Sequence, residues 1–220
     1  MGEDYPEVPE DAIPDGWEQR GRSKDRLFDA GTVSVIGRTV LYAHAGVEAA
    51  LATAGAKRVL GPPPQRDGNG DRLVGIDTVA PFAFVTGLSF RPPLMPGIGP
   101  ASLLPMILTE ARRSFASDFR NRGFEAVDRE SRGRIRTTAG KRARLTRYAA
   151  TYPIESDAST EAVEVEGWLA VRIDEGAFRI TGGAYPTSGL AELLAEQEDP
   201  PATDPSAFRD TLIDLIRSVG

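Results

Sequence analysis

The stretch LPMILTEARRSFASDFRNRG, residues 104 to 123, decides the fold. Leu104, Ile107, Leu108, Ala111, Phe115 and Phe119 recur at three- and four-residue intervals, which places them on one face of a helix. Gly123 is a natural terminator, because glycine takes the left-handed conformation that closes a helix at little steric cost. A helix is therefore expected from about Pro100 or Leu104 to Arg122. Its apolar stripe has to cover something, and the chain beyond Gly123 is strand-like. Residues 124–137, 141–154, 163–174 and 177–185 are four such segments, joined by short polar or glycine-containing turns, and they predict an antiparallel meander. In the third, Val163, Val165, Leu169, Val171 and Ile173 share one side by period two, and Glu164, Glu166, Trp168 and Arg172 share the other.

Upstream, a polar strand from Trp17 to Phe28, a turn at Asp29-Ala30-Gly31 and a β-branched strand from Thr32 to Ala43 read as an opening hairpin. Apolar residues on both sides of that second strand, Val33, Val35, Leu41 and Ala43 against Ile36, Val40 and Tyr42, call for cover on both faces. A short helix is expected over 47–54 and a further strand between Thr78 and Phe90. Near the carboxy terminus a short helix is expected over 189–197. A last helix comes after it, with Asp204 as N-cap, Pro205 at its first position and a stripe of Phe208, Leu212, Leu215 and Val219. Residues 1–16, acidic and holding Pro6, Pro9 and Pro14, predict a mobile or surface-draped tail without core residues. Residues 17–220 then form a single α+β domain.

The chain has 220 residues, 40% of them hydrophobic, enough for one sizeable core, and no apolar run long enough to span a membrane. With no cysteine and one histidine it can build neither a disulfide, nor a thiolate nucleophile, nor a cysteine or multi-histidine zinc site. No cofactor is expected. The amino terminus lacks a cationic n-region and an apolar h-region, so a cytoplasmic location is expected. The basic residues comprise 23 arginines and three lysines. That bias fits a GC-rich genome, and with the acidic pI the composition resembles that of an uncharacterised haloarchaeal protein or of some actinobacterial proteins.

The net charge of −6 conceals opposing blocks. Residues 110–150 hold 12 cations and five anions; residues 151–220 hold four cations and 14 anions. The basic block centres on SRGRIRTTAGKRARLTRY, residues 131 to 148. If Thr138-Ala139-Gly140 is a three-residue hairpin loop with Gly140 left-handed, Arg136 faces Arg142 and Arg134 faces Arg144. Arg132, Arg134, Arg136, Arg142 and Arg144 then share one face, and Tyr148 and Tyr152 continue it as groups on which a base could stack. Like charges directly opposite one another are destabilising unless an anion intervenes. Two outcomes are consistent with this: an open surface for a phosphate, carboxylate or nucleic acid, or neutralisation by Glu164 and Glu166 from the next strand.

Other constellations are weaker. Asp67, Asn69 and Asp71 imitate half a calcium loop, but Arg72 replaces the turn glycine and Thr78 the bidentate glutamate. His44 ends a strand with no nucleophile motif nearby, and neither a nucleophile elbow nor a phosphate loop occurs. Glu164 and Glu166 are set apart from other surface carboxylates by nothing in the sequence.

The order of elements, with GLSFRPPL (87–94) leading into the long helix and EGWLAVRIDEGAFRITGGAYP (166–186) closing the strands, resembles the Mog1/PsbP-like fold. The resemblance implies an antiparallel β-sheet with helices packed on both faces, an α/β/α sandwich, and roles in binding and scaffolding more than in catalysis. The alternative is a helix-grip fold, in which Phe82, Phe84, Trp168 and Phe178 line a ligand pocket. The expected function is a non-catalytic cytosolic binding or accessory protein meeting a protein partner. The alternatives are a small-ligand carrier or weakly catalytic enzyme with an apolar cavity, and a nucleic-acid or anion binder acting through the arginine hairpin.

Overall fold

Alternating apolar residues and glycine-bearing turns produce one antiparallel sheet in a computed structural model that describes residues 5–30, 33–54, 57–58, 79–94, 99–155 and 160–219. The strands are β1 (Trp17–Ala30), β2 (Val33–His44), β3 (Lys57–Arg58), β4 (Phe82–Arg91), β5 (Glu125–Arg136), β6 (Arg142–Glu155), β7 (Thr160–Asp174) and β8 (Ala177–Ser188). Across the sheet they run β1-β2-β4-β8-β7-β6. Both β5 and β3 then pair with β6, β5 along most of its length and β3 at Ile154 and Glu155. The helices are α1 (Ala45–Thr53), α2 (Pro100–Asn121), α3 (Leu190–Leu193) and α4 (Pro205–Ser218). The result is a mixed α+β architecture. Among the described residues no helix is long and apolar enough to cross a membrane.

The helix α2 carries the chain from β4 to β5, four strand positions or about 19 Å across the sheet. Its stripe buries Ile107, Phe115 and Phe119. Phe115 and Phe119 lie 4.6 Å apart between ring centroids, with Tyr148 5.0 Å from Phe115 and Phe124 4.7 Å from Phe119. Gly167 of β7 makes this seat possible: a β-carbon there would stand 3.0 Å from Phe119 Cζ. On β8, a β-carbon on Gly182 would meet the Phe84 ring and the Trp168 carbonyl oxygen, and one on its neighbour Gly183 would meet Leu212 of α4 and collide with the Phe82 carbonyl oxygen.

The final helix begins as its sequence dictates, Asp204 accepting the Ser206 N–H at 2.9 Å ahead of Pro205. It buries Phe208, Leu212, Leu215 and Ile216. The helix expected over 189–197 is shorter, with one turn at 190–193. His44 caps α1, its Nδ1 accepting the Val47 N–H at 3.2 Å, and its ring lies edge-on to Trp17 and Phe208. The segment ahead of β1 is not without core contacts: Pro6 is buried, and Tyr5, Val8, Ala12 and Ile13 pack against the core. Its few apolar groups are spaced so that they can lie down together. The loop holding Asp67, Asn69 and Asp71 falls outside the described residues.

Candidate anion-binding face

The β5–β6 hairpin closes through Gly140, whose φ of 77° is the left-handed conformation the loop demands. Thr137 N–H donates to the Lys141 carbonyl at 2.9 Å, and Gly140 N–H to the Thr137 carbonyl at 2.9 Å. At the tip, the Thr138 N–H donates at 3.0 Å to the carbonyl of Arg217 at the end of α4, which ties the hairpin to the body. The register then pairs Arg134 with Arg144 and Arg136 with Arg142, while Arg132 faces Thr146. All five arginines are exposed, and among the described residues none of them is in an ion pair.

Two further cations join them. A bulge between Arg129 and Ser131 shifts the alternation by one residue, so Arg129, opposite Tyr148, lies on the same face as Arg132 despite its odd spacing. From α2, Arg112 reaches in, its Nε donating to Thr146 Oγ1 at 3.0 Å. Burial lowers the affinity of the Arg112 guanidinium for its proton, and the fields of Arg132, Arg129 and Arg144 add to the effect. Period-two counting alone misses Arg129. The helical spacing of Arg112 from Phe115 was the signal that could have found Arg112 at the stripe's edge.

Glu164 and Glu166 do not neutralise this face. They alternate with Val165 and Gly167 and so project to the other side of β7, away from the side on which Gly167 receives α2. There Glu166 pairs with Arg147 at 3.1 Å, and Glu130 pairs with the same arginine at 2.8 Å. Glu166 also accepts the Trp168 Nε1–H at 2.8 Å and the Tyr185 hydroxyl. Lys141 pairs with Asp174, whose carboxyl it holds below the usual range. The hairpin cations off the arginine face thus have carboxylate partners, and those on it have none among the described residues.

Tyr148 and Tyr152 do continue the face by alternation, but they are buried beneath α2 and Phe124 and are not available for stacking. The Tyr148 hydroxyl donates to the Arg112 carbonyl at 3.2 Å, and burial raises its pKa. Its part is to hold α2 against the hairpin. Of the residues expected to line a pocket, Phe82 and Phe84 border a groove, while Trp168 bonds Glu166 on the opposite side and Phe178 is fully buried, packed against Phe90.

An antiparallel α+β sheet domain with a strip of arginines that has no carboxylate partner among the described residues is what the fold and this face define. The chain belongs to the family described as Domain of unknown function (DUF6517), which matches residues 5–220. No curated protein and no solved structure matches it.

Proposed function

We propose that this protein is a non-catalytic binding or accessory protein that captures an acidic segment of a protein partner on the arginine face. The observation that carries the reading is the pair of cross-strand arginine couples, Arg134 with Arg144 and Arg136 with Arg142, without a carboxylate partner among the described residues while nearby carboxylates serve Arg147 and Lys141. Opposed like charges weaken a hairpin, so a bound anion would relieve the cost that the free protein bears. Guanidinium groups in a fixed row suit carboxylates, which they bind in bidentate fashion. An acidic protein segment is favoured over nucleic acid because the tyrosines that would stack on bases are buried.

The same reading takes the architecture as a sandwich of the Mog1/PsbP-like kind. In its support, neighbouring residues Gly182 and Gly183, which alternate across the sheet, approach Phe84 under α2 and Leu212 of α4 respectively. A cytoplasmic setting is part of the same reading, and a haloarchaeal-type source rests on composition. Charge reversal of Arg134 and Arg144 to glutamate tests the function: salt-sensitive capture of an acidic peptide should be lost while the fold persists. A fall in thermal stability with unchanged capture would assign the arginines a structural role instead.

A further inference from the structure

A groove of about 470 Å³ runs beside α2, between the helix and the β1-β2-β4 part of the sheet. Its floor is Phe82, Phe84, Leu169 and Ile180, and Phe115 lines the helix side. The volume lies within the range of small-molecule sites, and the lining sets these apolar side chains among two threonines, two serines and six charged residues.

Three independent features bear on what it would hold. Leu27 is the large hydrophobic side chain exposed among the described residues, at 41%, and it sits on the groove's lip. A bulge between Arg26 and Phe28 puts it there, and Gly37 leaves room for it: a β-carbon on Gly37 would come within 2.8 Å of Leu27 Cδ1. An apolar side chain placed beside the groove's apolar floor by an irregular backbone makes a wall for the apolar part of an occupant.

The charged groups lining the groove balance in number, Asp25, Glu110 and Asp118 against Arg26, Arg113 and Arg122. Arg113 pairs with Glu110 at 2.7 Å, Arg26 pairs with Asp29 at 2.6 Å, and the Arg122 guanidinium lies over the Phe82 ring at 5.1 Å. A ligand carrying a net charge would have to displace one of these contacts, so a neutral one fits best. Within the groove, Thr39 and Thr86 share a 2.8 Å hydrogen bond between their hydroxyls. Whichever donates, one O–H of the pair is left to give to an incoming acceptor.

We infer that this groove binds an uncharged, largely apolar molecule with one acceptor oxygen, which the Thr39–Thr86 hydroxyl pair receives. Such a site stands apart from the arginine face and does not depend on it. The test is titration of the full chain with prodan, a neutral naphthalene dye with a single ketone oxygen, monitored by the blue shift of its emission. Saturable binding is expected. Ser114→Trp and, independently, Ser117→Trp, which place an indole at the exposed rim, should weaken it more than about tenfold, as loss of the site requires. Thr39→Val/Thr86→Val, which removes both hydroxyls at nearly constant shape, should weaken it about two- to tenfold, the net worth of one hydrogen bond. The inference is overturned if native protein shows no saturable shift, or if both tryptophan variants, with native circular dichroism, bind prodan as the native chain does. Undiminished binding by folded Thr39→Val/Thr86→Val would overturn the acceptor assignment.

Discussion

Arg134 and Arg144 stand directly opposite each other across β5 and β6, both exposed and, among the described residues, neither in an ion pair. Removing one charge should therefore stabilise the free protein. Arg144→Gln is expected to raise the denaturant midpoint by the equivalent of about 0.2–1 kcal/mol, the range for cross-strand pairs. The gain should shrink as salt screens the repulsion. Destabilisation by Arg144→Gln would mean the guanidinium makes a supporting contact.

Tyr148 is assigned an anchoring role. With its hydroxyl on the Arg112 carbonyl, Tyr148→Phe should cost about 0.5–1.5 kcal/mol in urea unfolding and leave acidic-peptide affinity within error. A loss of affinity at unchanged stability would return the ring to the binding surface.

The glycines beneath the helices differ in tolerance. At Gly167 a new methyl presses on the rings of Phe119 and Phe115, which can shift slightly, and about 1–3 kcal/mol of overpacking is expected for Gly167→Ala. At Gly183 the obstacle is the Phe82 backbone carbonyl, which cannot rotate away without breaking the β4–β8 pairing. Gly183→Ala should be the more damaging of the two by thermal melting. The reverse order would refute this packing.

His44 makes stability depend on pH in a defined window. Burial sets its folded pKa below the ordinary 6.5, while its Nδ1 accepts a backbone N–H. Between the folded and unfolded values the unfolded chain holds the extra proton, so stability rises with pH through that interval and is lost as pH falls below about 6.5. Carboxylates such as Asp174, held low by Lys141, act further down, below about 4. His44→Asn, which can still accept at the N-cap, should flatten the urea midpoint between about pH 5 and 7. An unchanged slope in the variant would place the titration elsewhere.

Local chemistry was legible wherever one residue type settles a conformation. The stripe through Phe115 and Phe119, left-handed Gly140, the Asp204–Pro205 helix start and the Arg134–Arg144 register could all be read from spacing. The bulge at 129–131 could not, because it has no residue signature, and it moves Arg129 onto a face that strict alternation denies it. Alternation did separate Glu164 and Glu166 from the Val165 side of β7. Which side of the neighbouring β6 they would share depends on register, which places Glu164 opposite Thr151 and Arg144 opposite Val171. Tyr148 was legible as a member of the arginine face, but not as a residue under α2, since the helix's path across the sheet is a tertiary fact. The groove is likewise formed by residues far apart in sequence, from Leu27 to Ile180.

The central claim is that the arginine strip captures an acidic protein segment. Its most direct test is fluorescence anisotropy of a labelled polyglutamate peptide, and of a single-stranded oligonucleotide of equal charge, titrated with native protein and with the Arg134→Glu/Arg144→Glu variant at rising salt. The account predicts peptide binding by the native chain that exceeds oligonucleotide binding, weakens with salt and is lost in the folded variant. No peptide binding at low salt, equal binding by the variant, or preference for the oligonucleotide would contradict it.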